Sequence, residues 1–91
     1  MSPLDRGLRD AAIEIALRRG VKPVKLLDTS KRKGNLSWAR WEFFHHCRVT
    51  LGLTCSRIQR FYSDRGYTID HTSILYGVKK YQEALDAEEC G

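Results

Sequence analysis

Apolar residues recur at three- and four-residue spacing along most of this 91-residue chain, and nowhere do they alternate with polar ones. That periodicity lines one side of an α-helix and excludes a sheet built from half-buried strands. Leu4, Leu8, Ala11, Ala12, Ile15 and Ala16 form the first such stripe, which opens on Ser2-Pro3 with Asp5 near the positive dipole end and stops at Gly20. Pro23 starts a short turn of helix carrying Val24 and Leu27. A helix from Ser37 to about Gly52 is expected to bury Trp41, Phe44, Cys47, Val49 and Leu51. Thr54 then caps a helix with the stripe Ile58, Phe61, Tyr62, and Gly66 suits its C-terminal turn. In the last helix Ile74, Val78, Tyr81 and Leu85 share one face, with Thr72, Tyr76, Lys79, Lys80 and Glu83 opposite. The expected fold is all-α: four main helices and a short turn, in a single domain over residues 1–91.

Composition narrows the function classes. Charged residues make up 30% and hydrophobic ones 42%, which argues against disorder. No apolar run approaches a membrane span or a signal-peptide core, so a cytoplasmic protein is expected. Cys47, Cys55 and Cys90 are odd in number and irregularly spaced, which fits a reducing compartment better than a disulfide framework. The net charge of +5 is unevenly spread. Cations crowd residues 18–65, whereas Glu83, Asp86, Glu88 and Glu89 gather at the C-terminus, so one surface attracts phosphate and another repels it.

Two places carry candidate chemistry. The segment TCSRIQRFYSDRG, a short connector and IDHTSILYGVKKYQEAL read as a helix, a turn and a second helix that begins with Asp70, His71, Thr72 and Ser73. Hydrogen-bonding side chains at such a helix start can reach base edges in a major groove. The loop DTSKRKGNLS carries Lys31, Arg32 and Lys33 in succession. It reads either as a solvated connector or as a basic loop gripping phosphate or entering a minor groove. Arg40, in the first turn expected for the Ser37 helix, opposes the helix dipole, which an anion contact would explain. A metal site is not expected: adjacent His45 and His46 point about 100° apart on a helix, and paired CxxC or HxxxH ligands are missing. Nor is catalysis, because Asp70, His71 and Ser73 on one helical turn cannot form a triad. Trp38 reads as core, as a partner contact or, less readily, as a stacking platform for single-stranded nucleic acid.

These residues resemble a known family, the C-terminal DNA-binding domain (domain IV) of the bacterial replication initiator DnaA. Asp70-His71-Thr72-Ser73-Ile74 is close to that family's Asp-His-Thr-Thr-Val signature at the start of its recognition helix. Val24-Lys25-Leu26-Leu27 with the Lys31–Lys33 loop, then Ala39-Arg40, then Thr54 to Phe61 follow in the family's order, and the similarity spans residues 8–82. It implies a helix-turn-helix fold in which His71, Thr72 and Ser73 contact bases and Asp70 orients them or reads a base amino group. It further implies that Lys31, Arg32, Lys33, Arg40, Thr54, Ser56 and Arg57 face the DNA backbone, the loop alternatively dipping into the minor groove. Two departures stand out: Ile69 occupies the position of a family arginine, and the connector is about four residues longer. The chain is therefore expected to read a different site. No Gly-rich phosphate loop is present, so no nucleotide, ATPase or other cofactor is expected.

The function expected is sequence-specific double-stranded DNA binding in transcriptional regulation, in the cytoplasm and associated with the bacterial nucleoid. The alternative is a protein-interaction module on the same fold that modulates replication or transcription without reading DNA. Homodimerisation, and membership of a larger regulatory protein, both stay open.

Overall fold

The computed structural model describes residues 3–27 and 34–90, and among these every regular element is helical. The Ser2 cap and the Lys31–Lys33 loop lie outside the described residues. Helix α1 covers Pro3–Arg18, α2 covers Pro23–Leu27, α3 covers Gly34–His45, α4 covers Cys55–Ser63 and α5 covers His71–Cys90. No described helix is long and apolar enough to cross a membrane.

The helix ends are set by a few residues. Gly20 sits at φ 73°, and Val21 N–H donates to Ala16 O at 2.9 Å, closing α1 with a left-handed turn. Gly66, at φ 84°, does the same for α4, with Tyr67 N–H donating to Tyr62 O at 3.0 Å. Thr54 caps α4 as expected: its Oγ1 accepts from Arg57 N–H at 3.2 Å.

Helix α3 departs from the sequence expectation at both ends. It begins at Gly34 rather than Ser37, which puts Arg40 in the second turn, beyond the reach of the argument from the helix dipole. After His45 the chain widens into a π turn, His46–Thr50, in which Leu51 N–H donates to His46 O at 3.0 Å. A π turn holds an extra residue and so rotates the side chains beyond it about the helix axis. Cys47 stays buried, while Val49 and Leu51, expected in the stripe, are left 59% and 40% exposed. Phe43, absent from that stripe, is fully buried.

The core is shared by all five helices. Leu8, Ala12 and Ile15 from α1, Leu26 from α2, Ala39, Phe43 and Phe44 from α3, Ile58, Phe61 and Tyr62 from α4 and Ile74 from α5 form one cluster. Phe43 lies 6.0 Å from Phe61 and 6.3 Å from Tyr62, ring centre to ring centre, in tilted contacts typical of packed aromatics. The most extensive helix contact is α3 on α5. It is close because Gly77 faces α3: a β-carbon there would stand 2.7 Å from Trp41 Cδ1 and 2.8 Å from Phe44 Cδ2. Glu42, 7% exposed, pins α1 to α3 by pairing with Arg18 and, at 2.8 Å, with Arg19 Nε.

Candidate nucleic-acid interface

Residues 64–70 join α4 to α5 and set where α5 begins. Gln59 Nε2, from α4, donates to Ile69 O at 3.0 Å and fixes the end of this connector. Asp70 O then accepts from Ser73 N–H at 3.1 Å and Ile74 N–H at 3.3 Å, which starts the helix. Ile74, fully buried, anchors the first turn in the core. The side chains of Asp70, His71, Thr72 and Ser73 consequently all stand exposed around the helix start. The earliest N–H groups of any helix have no acceptor inside it, so this turn also offers backbone donors.

Three of the four line a cleft of about 520 Å³ between the N-terminal parts of α3 and α5. Asp70, Thr72 and Ser73 lie on its α5 side, with Ser37, Arg40 and Trp41 across from them. Tyr76, one turn after Thr72, closes one end; its ring is 5.9 Å from that of Trp41 in an edge-on contact. Lys80 Nζ stands 5.5 Å from the Tyr76 ring and 3.7 Å from Glu83 Oε2, which brings a cation beside the cleft. His71 is exposed but does not line the cleft.

Arg40 has a more specific place than its sequence position suggests. It is only 8% exposed, and its Nε donates to Leu26 O at 3.1 Å while Nη2 donates to Lys25 O at 3.4 Å. These carbonyls end the short helix α2, so the guanidinium serves as that helix's C-terminal cap. Tyr62 Oη donates to the same Leu26 oxygen at 3.5 Å. Burial raises the Tyr62 phenol well above its ordinary value, keeping it a neutral donor. Arg40 therefore links α3 to α2 while forming part of the cleft wall.

The other expected backbone contacts lie elsewhere. Thr54 and Ser56 are exposed at the start of α4, and Arg57 is half-buried in its first turn; none of the three lines the cleft. Periodicity alone does not single out Ser37 or Trp41 as cleft residues. It places Trp41 in the core, and the signal that this ring also reaches the cleft is the Thr72–Tyr76 spacing of four on the facing helix. Trp38, 38% exposed, stacks edge-on against Trp41 at 5.0 Å and Tyr81 at 6.4 Å, so its partners are this chain's own rings. His45 is half-buried, with Nε2 2.7 Å from Gln82 Oε1, and no group of three metal-ligating side chains occurs among the described residues. Comparison with protein-family models, curated proteins and solved structures returns no match.

Proposed function

We propose that this chain binds double-stranded DNA sequence-specifically, with α4 and α5 acting as a helix-turn-helix and α5 as the recognition helix. Its role would be in transcriptional regulation at the bacterial nucleoid. The observation that carries this reading is the first turn of α5: Asp70, His71, Thr72 and Ser73 are all exposed at the start of a helix anchored by buried Ile74. A helix presented N-terminus first, with short polar side chains around its opening turn, has the chemistry to meet base edges. The cation-rich middle of the chain supports it by supplying phosphate attraction. The resemblance of residues 70–74 to the replication initiator's signature supports the same assignment. Arg40 enters as the residue that ties the end of α2 to α3 beside this surface, and the connector of residues 64–70, longer than a common helix-turn-helix turn, favours a site of its own.

Selection of bound duplexes from a randomised library, at fixed salt, tests the proposal. A defined consensus is expected. His71→Ala or Thr72→Ala should reduce discrimination against mismatched sites by about 1–3 kcal/mol per lost base contact while leaving non-specific affinity in place. Enrichment of no sequence, or full specificity in both variants, overturns the assignment.

A further inference from the structure

A second concavity lies on the far side of the connector from the cleft. It has a volume of about 840 Å³ and is walled by Ala12 and Ile13 of α1, Pro23, Val24 and Leu27 of α2, Phe61 of α4 and Tyr67 of the connector. The lining is mainly apolar, and its polar members are Arg9, Arg65 and Asp64. Val24 is 58% exposed, and Leu17, 69% exposed, continues the Ile13 stripe one turn further along α1. An exposed apolar side chain over a mainly apolar concavity marks an interaction surface. The groove is too open to enclose a small molecule, which ordinarily loses most of its surface to its pocket. A ridge of side chains spaced along a helix fits it better.

Charge decides which helix. Arg18 and Arg19 are already paired with Glu42, but neither Arg9 nor Arg65 has a carboxylate partner among the described residues. The Arg65 guanidinium is held 3.8 Å over the Phe61 ring, with Nη1 donating to Phe61 O at 3.1 Å, so its charge is fixed at the groove wall rather than swinging in solvent. The groove thus offers an apolar floor with two arginines against the single carboxylate of Asp64. We infer that the groove between α1, α2 and the end of α4 is a docking site for an amphipathic helix of a partner protein. That helix presents apolar residues at i, i+3 or i+4, and i+7, with Glu or Asp flanking them. The apolar lining disfavours a nucleic acid there, and the inference does not depend on DNA binding at α5.

The test uses the full chain and three synthetic helical peptides: one with the apolar spacing flanked by Glu, one with the same spacing flanked by Lys, and one with the apolar positions replaced by Ser. Binding is followed by fluorescence anisotropy, and the contact surface by backbone amide shifts. The Glu-flanked peptide should bind about tenfold tighter than the Lys-flanked one, a factor of about three for each arginine engaged. The Ser peptide should not bind. Val24→Glu, at an exposed position that leaves the core intact, should abolish binding. Arg65→Glu should remove the preference for Glu over Lys. His71→Ala should bind the peptide as the parent chain does, which separates this surface from the base-reading one. Equal affinity for Glu- and Lys-flanked peptides, binding that survives Val24→Glu, or amide shifts located elsewhere would overturn the inference. Capture of no peptide, with duplex affinity falling in Arg65→Glu, would overturn it too and assign these cations to DNA.

Discussion

Gly77 shows how much one hydrogen atom decides. Alanine would ordinarily favour a helix interior by about 1 kcal/mol over glycine. Here its methyl would meet the Trp41 and Phe44 rings at 2.7 and 2.8 Å, with Trp41 Cα at 3.4 Å, so the rings or the two helices would have to shift to admit it. Overpacking of this kind costs about 1–3 kcal/mol, so Gly77→Ala should not stabilise the fold and should cost up to about 2 kcal/mol net in chemical denaturation. A stabilised variant would mean that α3 and α5 do not approach this closely. Cys47 sets a second residue-scale expectation. Burial pushes its thiol up to about 12 from an ordinary 9.0, so at neutral pH it should be the last cysteine alkylated, with reaction tracking global unfolding. The same shift makes stability depend on pH. Below pH 9.0 the thiol is protonated in both states and its contribution to stability is complete. From there towards 12 the unfolded chain gives up the proton first, and stability should fall.

Helix α2, five residues long, is too short to persist alone, and the side chain that ends it comes from another helix. Arg40→Gln should remove the side-chain donor to the Lys25 carbonyl and leave the Leu26 carbonyl to Tyr62, at a cost of about 1–3 kcal/mol in thermal or denaturant unfolding. The same variant separates two roles. If Arg40 acts only as a cap, the dependence of duplex affinity on salt keeps its slope; if it neutralises a phosphate, the logarithmic slope falls by about 0.9. The elements themselves are largely legible from residue spacing. Ile58, Phe61, Tyr62 and Ile74 are buried as their periodicity requires, and Thr54, Gly20 and Gly66 end or begin helices where their chemistry suits. The run Trp38 to Cys47 is less readable, because nearly every position is large or apolar and several helix faces fit equally well. The π turn leaves no mark in composition, which is why spacing wrongly puts Val49 and Leu51 in the core. The cleft is half legible: Asp70, Thr72 and Ser73 announce themselves, but which residues face them depends on the register of α3 against α5. The close approach of those helices depends on Gly77, a residue that reads locally as a weak point in a helix.

At the scale of the whole molecule the distribution of charge matters more than its sum. The net +5 arises from a cationic middle and an acidic end on α5, Glu83, Asp86 and Glu88 all being exposed there. On the proposed reading, the acidic end of α5 would repel a duplex and so favour its approach by the first turn of that helix. Neutralising Lys31, Arg32 and Lys33 together should weaken binding to all duplexes about equally and lower the salt slope by up to about 2.7, if each meets one phosphate. Titration of a selected and a scrambled duplex at several salt concentrations checks this. Loss confined to the selected duplex would make the loop a reader of sequence instead.

Residues 64–70 are a wall with two sides. Asp64, Arg65 and Tyr67 border the apolar groove, whereas Thr68, Ile69 and Asp70 border the cleft at the start of α5. Anything seated in the groove that shifts this wall changes the free energy of occupying the cleft, and thermodynamic reciprocity makes the effect mutual. A peptide that tightens duplex binding about fivefold must itself be held about fivefold more tightly by the DNA-bound chain. The seven residues between the helices are then less a spacer than a place where two binding equilibria can be coupled.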